Sequence, residues 1–423
     1  MRPTAPGLAF LALATLLALA VSAAAQPAAA PELIARAEGE ALRLREPDQC
    51  AIALADVALA WRQLGDPRWE KTWAQAVLAA EKITESVAAP LTWRGLALRL
   101  WPLAPDQARA MFDKAIAQAA ALPYAAQKAL ALREIGRALH GRDDVLAQRT
   151  MAQAAEAART IQAPIFRAAA LRDIAVAMSG SDHEAAGQLF AEAAGALPPA
   201  DPDENAQLAR TEVAVAWCRH DLQTALAEAE LIGAPPLREA CYRRMCETLA
   251  PVSPDQAMQV MARIHDETQR VLALAALAAS LAGSQPETAA GMAHAALAGA
   301  DKLPPADREV LRAEAAVALA PQAWPEALAL LEQVEDERVA GEAFRRIVVR
   351  LAQSQPGEAL RVLEGVEDWQ AREEALLEIL PQLAEYDLAR ATALATELLA
   401  RRERIRALLI LAAPRPKREA DQP

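Results

Sequence analysis

The sequence predicts an all-α fold: an α-α solenoid of about ten two-helix repeats of 32–39 residues, expected to wind as a right-handed superhelix. Three observations predict it. First, counting from an origin at Thr72, Ala108, Ala147, Ala186, Ala225, Ala257, Ala289, Ala327, Ala359 and Ala391, a large apolar residue stands eight positions earlier in every repeat: Leu64, Leu100, Leu139, Met178, Trp217, Leu249, Leu281, Leu319, Leu351 and Leu383. Second, the chain is rich in Ala, Leu, Glu and Arg and poor in aromatics and glycine, which favours helix throughout. Third, no run of alternating β-branched residues signals a strand.

The N-terminal segment is read separately. Met1 and Arg2 precede an apolar run from Leu8 to Val21, then Ala23-Ala24-Ala25 and Gln26. Basic, apolar and small residues in that order predict a cleaved secretory signal over residues 1–25. The run is shorter than the roughly 20 residues a membrane helix needs, and no other run is long and uncharged enough to span. The expectation is an exported mature chain, periplasmic or secreted, without a transmembrane segment. Residues 26–49 are expected to hold a linker and a leading cap helix between Pro31 and Pro47. Residues 50–411 form the repeat domain. The final helix, Arg402 to Leu411, half-covers repeat ten, and 412–423 form a disordered tail.

Each repeat then divides in two. The first helix, A, buries positions −12 and −8, which share one helical face. Position −12 holds Leu96, Ile135, Ile174, Val213, Met245, Leu277, Ile347 and Ile379. Position −11 is usually small (Ala97, Gly136, Ala175, Ala214, Ala278), which lets the second helix come close. Turns such as Ala104-Pro105-Asp106, Ser253-Pro254-Asp255 and Gln285-Pro286-Glu287 start helix B with proline and acid. Helix B buries 0, +4 and +7, with an apolar residue at +4 in all ten repeats, including Phe112, Met151, Phe190, Met261, Leu331 and Leu363.

The origins are separated by 36, 39, 39, 39, 32, 32, 38, 32 and 32 residues. Long and short spacings differ mostly by close to two helical turns, so extra residues lengthen helix B without rotating its face. Position +7 tracks the length. Long repeats carry Ala79, Ala115, Ala154, Ala193 and Ala296; short ones carry Ile232, Ile264, Val334, Val366 and Leu398, one large side chain closing the shorter core.

Alanine, a large apolar residue four later and alanine again in helix B, with the apolar-small pair in helix A, resembles the tetratricopeptide repeat over residues 50–405. HEAT-type repeats, also two-helix solenoids, stay open as an alternative. The resemblance implies an interaction scaffold rather than an enzyme, with peptides held along the helix-A face.

The formal charge of −12 becomes −13 once Arg2 leaves with the signal. An acidic exported chain is a poor nucleic-acid binder, because phosphate contacts need a positive face. No HExxH, GxSxG, P-loop or GxGxxG motif occurs. Glu85-Ser86 resembles the glutamate–serine pair of lytic transglycosylases, but no glycine-rich segment follows, so a wall-glycan enzyme is the lesser reading. His140, His183, His220, His265 and His294 fall at −7, −3, −5, +8 and +5 and so share no face. Neither catalytic residues nor a metal or cofactor is expected.

Candidate binding residues lie on helix A away from its buried face. Position −14 holds Arg94, Arg133 and Arg172 in repeats two to four, Arg137 stands at −10, and Trp101 and His140 stand at −7. In the resembled family this stripe faces the groove, where arginine's planar fork could clamp a carboxylate; solvated arginines paired with neighbouring acids are the alternative. The expected partner is a protein or peptide, with an acidic or C-terminal carboxylate, in a cell-envelope assembly. A glycan-binding or glycan-processing accessory is the second reading, because five of the eight tryptophans (Trp61, Trp69, Trp73, Trp93, Trp101) crowd the first two repeats; a bulky cap core is the competing explanation.

Two further patterns complete the reading. Lys128, Arg167, Arg238, Arg270, Arg308 and Arg372 all stand at −19, near the start of helix A, where a cation opposes the helix dipole. They are expected to bond outward, to the acids or carbonyls that end the previous helix B. Among Cys50, Cys218, Cys241 and Cys246, the repeat spacing makes Cys218 and Cys246 the candidate disulfide pair in an oxidising compartment.

Overall fold

The computed structural model describes residues 30–84, 86–198, 203–364, 369–398 and 400–413. The predicted signal segment, Glu85 of the Glu85-Ser86 pair and residues 414–423 of the tail expected over 412–423 lie outside them; Ala412 instead ends the last helix. Among the described residues there are 21 α-helices, one short 3-10 turn (Ala300–Lys302) and no strand. Among the described residues no helix is long and apolar enough to cross a membrane.

After a first helix, Ala30–Ala41, the repeats follow as pairs. Repeats one to four are Pro47–Gln63 with Arg68–Glu81, Ala88–Leu100 with Pro105–Ala120, Ala125–Leu139 with Asp144–Arg159, and Pro164–Met178 with His183–Gly195. Repeats five to seven are Glu204–Trp217 with Leu222–Glu230, Pro235–Leu249 with Pro254–Met261, and Glu267–Leu281 with Pro286–Leu297. Repeat eight is the run Pro305–Leu331, broken at Ala323 (φ −140°, ψ 57°) between Pro321 and Pro325. Glu337–Ser354 with Pro356–Glu364, then Trp369–Tyr386 with Leu388–Glu397, complete the array before the last helix, Arg401–Ala412.

The starts obey local chemistry. Proline opens helix A or B at Pro47, Pro164, Pro235, Pro254 and Pro286, where the missing N–H has no intrahelical partner to lose. Elsewhere an aspartate caps: Asp143 accepts from Leu146 N, Asp182 from Ala185 N, and Asp266 from Gln269 N. At the end of Ala125–Leu139 the chain turns through Gly141 (φ 71°), a left-handed conformation that favours glycine.

The alignment describes the core. All ten origin residues are buried, as is −12 from Leu96 to Ile379. The length rule also holds. Helix B has 14, 16, 16, 13 and 12 residues in the long repeats with separate B helices, and 9, 8, 9 and 10 in the short ones. Ile232, Ile264 and Leu398 are buried at +7 and Val334 is half-buried; Val366 lies outside the described residues.

Repeat one departs from the pattern at −8. Leu64 is 44% exposed, whereas Trp61, one turn earlier, is fully buried. Helix Pro47–Gln63 ends just before Leu64, and Gly65 (φ 70°) turns the chain away, so the tryptophan takes over the core position.

Two compact units emerge, residues up to 111 with those from 352 onward, and residues 112–351. In the first unit the opening helix packs against both Pro47–Gln63 and the closing helix Arg401–Ala412. Arg401 Nε donates to Glu40 Oε2 (2.8 Å) and its Nη1 to Arg43 O (2.7 Å). Ile34, Ala37 and Ala41 are buried there. The closing helix therefore serves the opening helix as well as Trp369–Tyr386 and Leu388–Glu397 of repeat ten. The expected cap between Pro31 and Pro47 is interrupted by a turn, and Pro47 instead starts repeat one. In the second unit each helix A packs on its own helix B and on the next helix A, so that Ala125–Leu139, Pro164–Met178, Glu204–Trp217, Pro235–Leu249 and Glu267–Leu281 form one row.

Candidate functional site

In that row helix A carries a line of charge that runs from the buried Glu134 to the more exposed Glu212. Arg133 Nη1 donates to Asp173 Oδ2 of the next repeat (2.7 Å), and its Nη2 to Glu134 Oε1 (2.9 Å). Arg172 donates through Nη2 to Asp173 Oδ1 (2.6 Å) and stands 3.7 Å from Glu212. Glu212 in turn accepts from Arg244 Nη1 and Nη2 (2.6 and 3.0 Å). Arg137 lies 3.8 Å from Glu134. The predicted Arg133, Arg137 and Arg172 are thus brought together, but through carboxylates of their own chain. Arg94 and Trp101, both half-buried, belong to the other compact unit.

The acids of this ladder share one repeat position. Glu134, Asp173, Glu212 and Glu314 stand at −13, and so do Arg244 and Arg346, which pair with the −13 acid one repeat earlier. The Arg346–Glu314 bond is 2.8 Å. Sequence reasoning overlooked −13, although the same alignment shows its succession of charges. Bonding to Arg244, more than any other cause, holds the Glu212 carboxyl below its usual range. Burial pushes the Glu247 carboxyl up, with Arg243 opposing the shift.

His140 and Asp144 flank a cleft of about 130 Å³ where Ala125–Leu139, Asp144–Arg159 and the end of Pro164–Met178 meet. Its walls are Gly136, Ala147, Met151, Ala177 and Met178, with Gln148 and Ser181 beside them. His140 Nδ1 lies 3.3 Å from Asp144 Oδ1. That carboxylate also accepts from Gly141 N (2.7 Å). A larger cavity of about 190 Å³ lies between Pro105–Ala120 and Asp144–Arg159, lined in part by Asp113, Arg149 and Gln153. We centre the candidate site on the smaller cleft, because it joins apolar walls to His140 with Arg137 one turn earlier. An apolar hollow edged by a few polar groups is the usual form of a binding site.

Other predicted residues resolve as follows. The −19 cations bond outward as expected: Arg167 Nη1 donates to Ile161 O (3.2 Å), Arg238 Nη1 to Ile232 O (3.3 Å), and Arg308 to Ala300 O and Leu303 O (3.2 and 3.1 Å). Arg270 differs, pairing with Glu267 in its own first turn. Of the clustered tryptophans, Trp61 and Trp93 are core residues. Trp61 Nε1 donates to Glu38 Oε2 (3.1 Å), and the Arg68 guanidinium lies 3.5 Å from its ring centre. Trp69 carries Arg62 at 4.7 Å.

Cys218 and Cys246 are free thiols in this structure, each donating to a carbonyl, Val215 O and Ala257 O. Burial pushes both up to about 12. The histidine reading is corrected at one pair: His183 and His220, offset by two in repeat position, stack face to face at 3.7 Å. His220 lies in the turn after Glu204–Trp217 and His183 at the very start of its helix, so helical register does not govern which side chains meet there. Among the described residues no group of three or more histidine, cysteine or acidic side chains is placed to hold a metal ion.

No family model matches the chain, and no curated protein matches it. It is similar to the crystal structure of Ton1535 from Thermococcus onnurineus NA1, at 15% identity over 87% of this chain and 99% of that one, with a TM-score of 0.33.

Proposed function

We propose that the protein is an exported, non-catalytic repeat scaffold, tetratricopeptide-like in its repeats, that binds a protein or peptide in a cell-envelope assembly. The single observation that carries this reading is the cleft at the end of Ala125–Leu139, where apolar walls adjoin His140, with Arg137 one turn earlier on the same helix. Its size is similar to that of a cavity able to hold a benzene ring, about 150 Å³, so one apolar side chain of the partner fits. Arg137 is the least committed arginine of the ladder, 3.8 Å from Glu134 and 38% exposed at its side chain. It can take an acidic group flanking that side chain. Arg133 and Arg172 act behind it, holding consecutive helices A in register. Export rests on the order of residues in the N-terminal segment.

The test is in-cell photo-crosslinking from the exposed position of Ser181, with Gln148→Trp to fill the cleft mouth and Arg137→Glu to reverse the charge. Each variant should lower capture of the partner by about tenfold, equivalent to roughly 1.4 kcal/mol, with the circular dichroism spectrum unchanged. Undiminished capture by both folded variants removes the cleft from consideration.

A further inference from the structure

Two imidazoles from neighbouring repeats lie face to face where helix His183–Gly195 begins and where the turn before Leu222–Glu230 ends. The rings of His183 and His220 are 3.7 Å apart at their centres and inclined by 25°. Phe190 stands beside them, its ring 5.6 Å from His220 and 5.5 Å from Trp217. Gly187 makes the room: a Cβ there would stand 3.1 Å from His220 Nε2. His220 Nδ1 is buried and has no hydrogen-bond partner among the described residues. Packing, not polar bonding, therefore holds the His220 ring.

We propose that this pair is a proton-sensitive joint between the fourth and fifth repeats, closed while the His220 imidazole is neutral and loosened when it takes up a proton beside His183. Neutral imidazoles stack as aromatic rings, whereas two imidazolium cations at that separation repel. The charged groups around the joint offer little relief. His183 opens its helix, where the dipole disfavours a cation. Asp182 beside it caps the same helix by accepting from Ala185 N (3.0 Å). Asp221, next to His220, accepts from Gln223 N (3.0 Å), Thr224 N (3.1 Å) and Thr224 Oγ1 (2.5 Å). Arg219 is drawn to Thr248 O of helix Pro235–Leu249 (2.7 Å from Nη2). Phe190 and Trp217 supply no countercharge.

Burial, then the charge of His183, hold His220 below the ordinary histidine value of 6.5, and Asp221 opposes them. The opened joint then binds protons more readily than the closed one. By linkage, closure is complete above the ordinary histidine range and is lost as pH falls through it.

The experiment is hydrogen exchange on the full chain at about pH 7.5 and about pH 5.5, corrected for intrinsic exchange. Residues 183–190 and 217–224 should lose protection by about fivefold at the lower pH, while 125–139 keep theirs. His220→Phe keeps a stack that cannot titrate, and His183→Gln changes an exposed side chain. Each should abolish the dependence. A wild-type chain with no local dependence, or a dependence that survives in a folded variant, overturns the proposal.

Discussion

A small residue just after the buried −12 position, where a repeat carries one, decides how near its two helices can come. Gly136 makes the point: a Cβ there would lie 2.9 Å from Met151 Cγ, so the methionine lies against the glycine backbone. Gly136→Leu should overpack this contact and cost about 1–3 kcal/mol, read as lowered thermal stability and lost amide protection around Met151. The opposite fault is a hole. Phe190 is fully buried and stacks on Trp217. Phe190→Ala should cost about 3–5 kcal/mol in thermal or denaturant unfolding. Both positions were legible in the sequence, because burial repeats with the helical period and the alignment averages over ten repeats. Leu64 and the His183–His220 stack were not. A helix that ends one residue early, or a turn brought beside the start of a neighbouring helix, follows no period.

Between helices the bonds fall into two kinds that differ in worth. The ladder's Glu212–Arg244 pair is weak: Glu212 is 44% exposed at its side chain and Arg244 34%, so solvent screens the pair to under about 1 kcal/mol. A double-mutant cycle on Glu212 and Arg244 should return a coupling of that size. Because bonding depresses the Glu212 carboxyl, its contribution is present above the ordinary value of 4.5 and lost as pH falls through the lowered one.

Arg210 is the other kind. It is 4% exposed, pairs with Glu228 of Leu222–Glu230, and donates to Leu197 O (2.9 Å) and Pro198 O (3.2 Å) beyond the preceding helix B. Arg210→Ala strands Glu228 and two carbonyls, and should cost about 3–5 kcal/mol in denaturant unfolding. The −19 bonds were legible, since a cation at a helix start must look elsewhere for partners. The ladder was missed because its bonds join one repeat to the next, whereas the alignment compares repeats one at a time. The cleft at His140 was half legible: the residue could be named, but the hollow depends on where the following repeat places Ala177 and Met178.

At the scale of the whole chain, the array's two ends share a compact unit. Arg401 reaches Glu40 across 361 positions of sequence. No repeat pattern encodes such a pairing, so sequence analysis gave the first and last helices separate capping roles. The ion pair itself is partly exposed and worth under about 1 kcal/mol. The apolar face of Ile34, Ala37 and Ala41 contributes more. Deleting the segment from Arg401 onward should therefore strip amide protection from residues 30–41 while leaving 125–261 protected; Arg401→Ala alone should not.

That shared unit also sets a timetable. Closing a loop of 361 residues in a disordered chain costs about 5 kcal/mol, so the pairing waits until the intervening repeats have folded. The opening helix is synthesised long before its partner, Arg401–Ala412. Until then Ile34, Ala37 and Ala41 lack the cover that Arg401–Ala412 supplies, and a holding chaperone is most needed during that interval.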